Sequence, residues 1–451
     1  MCYNFNCMQV NPAIFKEYDI RGRYPGEINE AVFYNLGRAV GRFLKPRRVA
    51  IGRDARLSSD TLFLYLASGL RHQKIKVIDL GKVTAPFCFW YSKTQRCDVL
   101  MITASHNPKE ENGLKIYSRK LGAVDRKSGL AKIKGILERL DFKTAIEEKK
   151  IDQAGPEIQR KYFDFLAGAI KTVPPFLRLA VDFSHGTAAG EVTAVLEKLK
   201  VNFATLNEKP NGNFPAHGPN PLEEASQMQL KALMQSKKFD FGVVFDGDGD
   251  RVVFMDEKGE VIDPSIVLAL WLDFLLQPRQ GAVKTADMGR MASEIGQNKK
   301  IKVLVSKVGR TNVQQAMAKN RAELGAEKSG HYFFKEFYYG DSATMALLKM
   351  LKIISKKPEP LSKLIKPYLK YVILPEMNFS SKRQPAEVVA ELKEKFKDGR
   401  ISLLDGITVE YPEWGFNLRR SNTENLWRLS LEGVDQNKLD EVKKEVESVL
   451  N

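Results

Sequence analysis

The sequence predicts an α/β protein in which three similar αβ domains with mixed or parallel sheets precede a C-terminal domain of α+β type. Two observations support this fold class. Short apolar runs that suit buried strands alternate with segments of helical apolar spacing, a pattern typical of strands covered by helices. The chain of 451 residues also exceeds one ordinary core, since a domain usually holds about 100–200 residues. We therefore expect four domains, at residues 1–152, 153–256, 257–368 and 369–451.

The first domain is predicted from a helix that is followed by alternating strands and helices. Val32, Leu36, Val40 and Phe43 recur at helical spacing, which indicates one buried face. A charged stretch at residues 147–152 marks the expected end of the domain. The other expected elements are strands at 49–52, 75–78, 99–102 and near 112–117, and a helix at 59–72.

The second and third domains are predicted to repeat this alternation, whereas the fourth has a different pattern. The second has expected helices at 157–170 and 187–199 and strands at 177–183, 201–206 and 241–245. The third has expected helices at 265–276 and 342–354 and strands near 283 and at 301–305. The fourth has expected strands at 371–374 and 426–431, a helix at 386–396, and a C-terminal helix with one apolar face.

The composition fits a globular protein with an anionic partner. Hydrophobic residues make up 43% of the chain, charged residues 28%, and Lys plus Arg exceed Asp plus Glu by 16. The basic residues are dispersed, so a small phosphorylated substrate suits this charge as well as nucleic acid does. No apolar run approaches the roughly 18 residues of a membrane span. The cysteines, which are Cys2, Cys7, Cys88 and Cys97, indicate a reducing cytoplasm rather than a disulfide scaffold.

A candidate nucleophile follows the predicted strand at 99–102. Residues 103–108 read Thr-Ala-Ser-His-Asn-Pro, and Ser105 therefore lies where open α/β sheets place their ligands. A serine nucleophile requires a base or a metal for activation. His106 is adjacent in sequence and need not face the same way, so the residues alone define no Ser-His-Asp triad. A strand that ends in an ordinary turn is the alternative reading.

An acidic loop follows the predicted strand at 241–245. Asp246, Asp248 and Asp250 alternate with glycines, and three crowded carboxylates repel one another unless a cation neutralises them. Oxygen ligands select a hard metal such as Mg²⁺ or Ca²⁺. A plain acidic turn is one alternative. An EF-hand is another, but Arg251 occupies the position of its invariant glycine and the preceding segment is strand-like.

Two further loops offer candidate ligands for a sugar phosphate, and four cations are scattered along the chain. Hydrogen-bonding groups for sugar hydroxyls occur at Glu327, Ser329 and His331, and phosphate-binding groups occur at Arg419, Ser421, Asn422 and Thr423. A surface loop or a polar turn explains either set alone. Taken singly, the cations suit solvated surface positions; they are Arg21, Arg53, Lys115 and Arg251.

Taken together, these motifs resemble the α-D-phosphohexomutase family, most closely its bacterial phosphomannomutase/phosphoglucomutase branch. The Tyr-Asp-Ile-Arg-Gly at 18–22 is similar to the N-terminal signature of the family. Residues 103–108 match its phosphoserine loop and residues 246–251 its metal loop. Residues 325–331 are similar to its sugar-binding loop, with Ala326 inserted, and residues 419–423 match its phosphate loop. The motifs occur in the family order over essentially residues 14–451.

The resemblance implies four domains around a central cleft and the interconversion of hexose 1-phosphate and hexose 6-phosphate, of mannose or glucose. Ser105 would carry the phosphate, and one Mg²⁺ would be held by Ser105 and the three aspartates. Hexose 1,6-bisphosphate would be both intermediate and activator. Arg21 and Lys115 match positions linked to proton transfer and charge stabilisation, Arg251 would lie near the phosphoserine, and His106 belongs to the catalytic motif.

The sequence departs from the family pattern at three places. Asn425 replaces a frequent proline, Arg310 replaces a frequent histidine, and residues 283–290 match poorly, so we assign no role there.

Phosphoglucosamine mutase is the nearest alternative enzyme, but its phosphate loop usually has Gly where Asn422 stands. A non-catalytic protein that binds anions or nucleic acid is the alternative from another class. We expect a small sugar phosphate as partner, no nucleic acid or membrane, and a monomer or homodimer.

Overall fold

The computed structural model describes residues 10–146, 150–357, 359–421 and 426–451. The chain forms two compact units. The first comprises the residues up to Gly259 together with Gly340–Ser355, and the second comprises Glu260–Tyr339 and the residues from Lys356 onwards. The chain therefore passes between the units three times. Among the described residues, no helix combines the length and the apolar character that a bilayer span requires.

The first sheet of the first unit has the strand order β1-β5-β4-β2-β3-β7, with β6 beside β5. Strand β2 is parallel to β3 and β4, whereas β5 is antiparallel to β1 and β4. Its strands are β1 (Ile20–Arg23), β2 (Arg48–Arg53), β3 (Lys76–Lys82), β4 (Asp98–Ile102), β5 (Glu111–Ser118), β6 (Gly122–Ala123) and β7 (Asp152–Gln153). The accompanying helices are α1 (Glu30–Leu44), α2 (Ser59–His72), α3 (Ala85–Thr94) and α4 (Ala131–Leu137).

Helix α3 was not expected from the sequence. It begins after Thr84, whose side chain accepts a hydrogen bond from the backbone N–H of Phe87. Its residues are apolar on almost every side and nearly all are buried, so the apolar and polar faces that identify a surface helix are missing. In contrast, the amphipathic helices α1 and α2 fall where the spacing predicts them.

The second sheet of the first unit places strand β10 between its neighbours β11 and β8, with β9 next to β8. Strands β9, β8 and β10 are parallel, and β11 returns antiparallel to β10. The strands are β8 (Arg178–Asp182), β9 (Asn202–Leu206), β10 (Phe241–Phe245) and β11 (Val252–Met255). The helices are α5 (Pro156–Ala167), α6 (Ala188–Lys198) and α7 (Glu224–Ser236).

The second unit contains a mixed sheet with the strand order β14-β13-β15-β16. The strands of this sheet in the second unit are β13 (Gly281–Thr285), β14 (Lys302–Ser306), β15 (Leu324–Ala326) and β16 (Tyr332–Phe334), and the short strand β12 (Val261–Ile262) precedes them in the second unit. Its helices are α8 (Pro264–Leu275), α9 (Met291–Lys299) and α10 (Arg310–Asn320). The next elements, strand β17 (Gly340–Asp341) and nearly all of helix α11 (Ala343–Lys356), belong to the first unit.

The C-terminal part of the second unit is an antiparallel sheet with the order β18-β23-β22-β21-β20, and β19 also pairs with β23. The strands are β18 (Val372–Ile373), β19 (Met377–Phe379), β20 (Arg400–Ser402), β21 (Ile407–Glu410), β22 (Trp414–Arg420) and β23 (Trp427–Gly433). The helices are α12 (Leu361–Ile365), α13 (Pro385–Lys395) and α14 (Gln436–Leu450). The expected fold class is confirmed, while the four domain boundaries stay a prediction.

A buried carboxyl group joins four segments of the first unit. Glu191 on α6 accepts hydrogen bonds from the hydroxyl groups of Thr84 at 2.5 Å, Tyr162 at 3.2 Å and Thr344 at 2.6 Å. These partners precede α3 or lie on α5 and α11. Burial raises the pKa of Glu191 to about 7, although the three hydrogen bonds favour the charged form.

We expect Glu191 to make the stability of the protein decrease as the pH rises from 4.5 to about 7. In this window the folded protein binds a proton that the unfolded chain releases, so higher pH favours unfolding. The loss amounts to roughly 3 kcal/mol, at about 1.4 kcal/mol per pH unit. Denaturant unfolding of the wild type and of Glu191→Gln at several pH values measures it. An equal pH dependence in both proteins would contradict the assignment.

Candidate active site

The side chain of Ser105 lies buried beyond the end of strand β4 and faces the acidic loop. Its backbone is left-handed, with a φ of 51°, a conformation that residues with a side chain rarely adopt. The Ser105 N–H donates to Thr103 Oγ1 at 2.8 Å, and Ser105 Oγ donates to Asp246 Oδ2 at 2.7 Å. His106 Nδ1 lies 3.4 Å from the same Oγ. The candidate nucleophile and the acidic loop, far apart in sequence, are thus in direct contact.

The acidic loop joins the antiparallel strands β10 and β11. This excludes an EF-hand, whose loop joins two helices. Asp246 Oδ1 accepts the backbone N–H groups of Asp250 at 3.1 Å and Arg251 at 3.2 Å, which closes the loop. Gly249 has a φ of 73°, where a glycine is the residue least strained. The three carboxylates are buried, and one oxygen of each lies within 4.8 Å of the others.

Lys115 on strand β5 partly neutralises the acidic loop. Its Nζ lies 2.7 Å from Asp248 Oδ2 and 2.6 Å from Asp250 Oδ2. Burial, reinforced by the two other aspartates, raises the pKa of Asp246 well above its usual range. Asp248 Oδ1 is buried and has no hydrogen-bond partner among the described residues. This donor set, with only oxygen atoms and more negative than positive charge, fits a hard divalent cation.

Arg21 is held under the Ser105 loop rather than in solvent. Its Nη1 donates to the Asn107 side chain at 2.7 Å and to the Ala104 carbonyl at 3.2 Å, and its Nε donates to Asp19 at 2.9 Å. Burial lowers the pKa of Arg21, but the carboxylates, Asp19 foremost, more than offset this and the net shift is upward. The interpretation as a surface charge is therefore wrong for Arg21, and it is also wrong for the buried Lys115.

Two other predicted cations differ in their relation to the loops. The backbone N–H of Arg251 closes the acidic loop, as described above. Arg53 instead pairs with Asp60 and Asp79, each at 2.6 Å. Its side chain is only 14% exposed, so the interpretation as a solvated surface charge is wrong for Arg53 too. Its charge is paired with these two carboxylates.

Two residues that contact the Ser105 loop were not assigned roles from the sequence. Thr103 Oγ1 donates to Asp248 at 3.0 Å while it accepts the N–H of Ser105. It thereby connects the nucleophile loop to the acidic loop. Arg56 donates to backbone carbonyl groups of the loop, including that of Ser105 at 2.9 Å. Contacts to backbone carbonyls leave no residue pattern, so no signal in the sequence marked Arg56.

The predicted sugar-binding residues lie in the second unit, after strand β15. Glu327 is buried; its Oε1 accepts the backbone N–H of Gly309 at 2.7 Å and its Oε2 lies 3.1 Å from His331 Nδ1. Ser329 Oγ lies 2.9 Å from the same Nδ1. Gly309 directly precedes helix α10. The structure therefore brings Glu327, Ser329 and His331 together and links them to the start of this helix.

The predicted phosphate loop also belongs to the second unit, where Arg419 is buried near the end of strand β22. Its Nη2 donates to Asp287 at 3.2 Å and to Glu376 at 3.4 Å. Burial lowers the pKa of Arg419, but these carboxylates and Asp405 more than offset it and the net shift is upward. The backbone N–H of Ser421 donates to the Leu426 carbonyl. The predicted residues Asn422 and Thr423, and also Asn425, lie outside the described residues.

Two contacts of this loop carry no signal in the sequence. Arg419 pairs with two carboxylates, those of Asp287 and Glu376. Asp287 belongs to residues 283–290, the segment that matches the family pattern poorly. Lys284 in the same segment is buried and donates to the carbonyl groups of Met288 and Gly289, both at 2.9 Å. No local pattern connects Asp287 to an arginine 132 positions away.

Four consecutive regions of the chain match one protein family. Residues 12–144, 160–259 and 263–371 match the alpha/beta/alpha domains I, II and III of phosphoglucomutase/phosphomannomutase, and residues 374–449 match its C-terminal domain. The chain belongs to the phosphoglucomutase/phosphomannomutase family. This confirms the resemblance inferred from the motifs.

Relatives in this family are similar over nearly the whole chain. A phosphomannomutase of Methanocaldococcus jannaschii is 31% identical over 443 residues, which cover 97% of each chain. A phosphomannomutase of Escherichia coli K12 is 31% identical and covers 93% of this chain and 94% of its own. The protein is therefore a phosphotransferase mutase, an isomerase of carbohydrate metabolism.

Solved structures of the family share its fold. A phosphoglucomutase/phosphomannomutase family protein from Burkholderia thailandensis superimposes with a TM-score of 0.88 at 27% identity, over 98% of each chain. An Aspergillus fumigatus N-acetylphosphoglucosamine mutase has a TM-score of 0.63 at 14% identity, over 97% of this chain and 96% of that one. At this identity the second comparison concerns the fold alone.

We expect Mg²⁺ to raise the temperature of thermal unfolding, and Asp248→Asn to reduce this increase. A ligand that binds only the folded state contributes about 2.7 kcal/mol at a concentration of 100 Kd. The asparagine keeps the shape but removes one of three negative charges. Thermal unfolding with Mg²⁺ and with a chelator measures the effect. Asp164→Asn, which removes an exposed carboxylate from α5, is the matched control and keeps the wild-type increase. Equal increases in all three proteins would contradict the metal assignment.

Proposed function

We propose that the protein interconverts hexose 1-phosphate and hexose 6-phosphate, of mannose or glucose, through a phosphorylated Ser105 and a hexose 1,6-bisphosphate. The contact that carries this proposal is the 2.7 Å hydrogen bond from Ser105 Oγ to Asp246, beside the carboxylates that Lys115 partly neutralises. A nucleophilic oxygen at a cluster of acidic and basic groups is what phosphoryl transfer requires. The fit of the chain to phosphomannomutase relatives supports the same reaction.

Each turnover consists of two phosphoryl transfers. In the first, a sugar hydroxyl attacks the phosphorus of phosphoserine, the bond from phosphorus to Ser105 Oγ breaks, and a bisphosphate forms. In the second, Ser105 Oγ attacks the other phosphorus of the bisphosphate and releases the isomeric monophosphate. A proton leaves the attacking hydroxyl and another reaches the departing oxygen. We assign this proton transfer to Lys115, because the raised pKa of Arg21 keeps that guanidinium charged. The Lys115 ammonium group gives a proton to the departing oxygen and, once neutral, takes up the proton of the attacking hydroxyl.

The groups around Ser105 contribute charge and orientation. Asp246, Asp248, Asp250 and the Ser105 oxygen would hold Mg²⁺, which when bound neutralises negative charge on the phosphoryl oxygens. Arg21 is positioned next to the Ser105 loop to stabilise the same charge. His106 is a candidate hydrogen-bond partner of Ser105 Oγ. Arg251, whose backbone N–H closes the acidic loop, would supply a further positive charge near the phosphoserine.

The loops of the second unit would bind the parts of the substrate that do not react. Glu327, Ser329 and His331 offer hydrogen-bonding groups for sugar hydroxyls. Arg419 offers a planar guanidinium for the phosphate that is not being transferred, at either end of the sugar. We place the reaction in the cytoplasm, consistent with the free thiol groups of the buried cysteines Cys88 and Cys97.

We expect Ser105→Ala to lower turnover more than about a thousandfold while the free energy of unfolding changes by about 1 kcal/mol or less. ³¹P NMR of mannose 1-phosphate and glucose 1-phosphate, primed with the matching bisphosphate, measures turnover. Intact mass spectrometry of the wild type shows an added phosphoryl group of about 80 Da. Ser92→Ala serves as the control. It removes a buried hydroxyl group that donates a hydrogen bond to the Phe89 carbonyl within helix α3. Wild-type turnover in Ser105→Ala would refute the covalent route.

We expect Arg419→Ala to raise the KM for both hexose 1-phosphates and hexose 6-phosphates, with a loss of about 2–4 kcal/mol of transition-state binding. The guanidinium is lost and Asp287 and Glu376 then repel the phosphate. Steady-state kinetics in both directions measure the effect. Lys444→Ala removes an exposed cation of α14 and tests whether net charge alone matters. Unchanged KM values in both directions for Arg419→Ala would show that the loop does not bind phosphate.

A further inference from the structure

We propose that Arg56 is a positioning residue that holds the Ser105 loop in the geometry needed for phosphoryl transfer. The inference rests on the proposed function, because it concerns the same nucleophile. Arg56 follows strand β2 by three positions, and its side chain has no exposed surface. A buried guanidinium must find acceptors for its donors, since an unpaired buried donor is costly. The role of Arg56 follows from the acceptors that its donors bind.

Four of the five N–H donors of the guanidinium bind carbonyl groups of the loop that carries Ser105 and of the first residue of β5, which ends this loop. Arg56 Nη2 donates to the carbonyl oxygens of Ser105 at 2.9 Å and Asn107 at 2.6 Å. Arg56 Nη1 donates to those of Pro108 at 2.5 Å and Glu111 at 2.9 Å. The four carbonyl groups therefore converge on one rigid planar cation, which fixes the path of the loop between them.

Arg56 is itself held in place from two sides. Asp54 Oδ2 accepts the fifth donor, Nε, at 3.1 Å, and Asp54 Oδ1 accepts the backbone N–H of Arg56 and the hydroxyl of Ser59. The backbone N–H of Asp54 donates to the carbonyl of Ile102, the last residue of β4. The ring of Phe214 covers the guanidinium, with its centroid 5.5 Å from the guanidinium carbon. Arg56 is thus fixed relative to strand β4, which leads into the Ser105 loop.

The contact to the Ser105 carbonyl controls the direction of its side chain. The N–H of Ser105 is bound to Thr103 and its carbonyl to Arg56, so both peptide groups that flank its Cα are fixed. The left-handed backbone then directs the Cα–Cβ bond toward the acidic loop, where Oγ meets Asp246. Because these bonds use only the backbone groups of Ser105, they can persist before and after Oγ carries a phosphoryl group.

Lysine cannot replace this arginine. An ammonium group presents three donors from one nitrogen, whereas the guanidinium reaches four separated carbonyl groups and one carboxylate through three nitrogens. Arg56→Lys would keep the charge and leave part of the loop unbound. The effect on catalysis would come from displacement of Oγ, and a displacement of about 1 Å can lower a rate about 100-fold.

The test measures transfer of a phosphoryl group from glucose 1,6-bisphosphate to Ser105, by rapid quench and intact mass, together with kcat and KM for glucose 1-phosphate. We expect Arg56→Ala to lower the phosphorylation rate and kcat about 100-fold, with little change in KM. Added guanidinium ion restores part of the rate in Arg56→Ala, whereas urea, a neutral molecule of similar shape, does not. Arg53→Ala, which removes a neighbouring arginine that pairs with Asp60 and Asp79, keeps the wild-type rate and shows no response to guanidinium.

The outcomes separate this inference from the proposed function. A wild type that never accepts phosphate on Ser105 overturns both. A phosphorylated wild type with an equally fast Arg56→Ala variant, or with a slow folded variant that guanidinium does not restore, overturns the role of Arg56 alone. If Arg56→Ala does not fold, Arg56→Lys carries the test: a lower kcat at unchanged KM supports the inference, and a wild-type kcat overturns it.

Discussion

The site of this protein depends on the crowding of three buried carboxylates against one lysine. Asp246, Asp248 and Asp250 are held on a short loop between two antiparallel strands, and Lys115 offsets only part of their charge. Any group placed beside them must tolerate or neutralise this excess. Ser105 does so by donating a hydrogen bond from its hydroxyl group to Asp246. A divalent cation would complete the balance, because the donors are all oxygen atoms.

The motifs that carry chemistry were predictable from the sequence because each is a short run of residues. Ser105 and Asp246 were expected at one site because their loops resemble those of one family, and they are in contact although 141 positions separate them. The left-handed backbone of Ser105 was not predictable, since it depends on carbonyl groups held by Arg56. Backbone acceptors are present in every sequence and identify no partner.

Other parts could not be predicted because they depend on long-range pairing or lack periodicity. Helix α3 is buried on nearly all sides, so its residues show no polar face. Arg419 pairs with Asp287, which follows strand β13 of the other sheet in the second unit, and with Glu376, which lies between β18 and β19 of its own sheet. No spacing along the chain connects them. Arg419, the candidate phosphate ligand, is therefore held in place by two carboxylates before any phosphate binds. An incoming phosphate must therefore compete with two existing partners of the guanidinium.

The path of the chain between its two units has a consequence for synthesis. Residues 340–355 return to the first unit after residues 260–339 have contributed to the second. Thr344 on this returning segment supplies one of the three hydroxyl groups that bind Glu191. A nascent chain that has emerged only to residue 259 lacks helix α11 and this hydroxyl. N-terminal domains usually fold first on the ribosome, but here the first unit is complete only after residue 355 has left the exit tunnel.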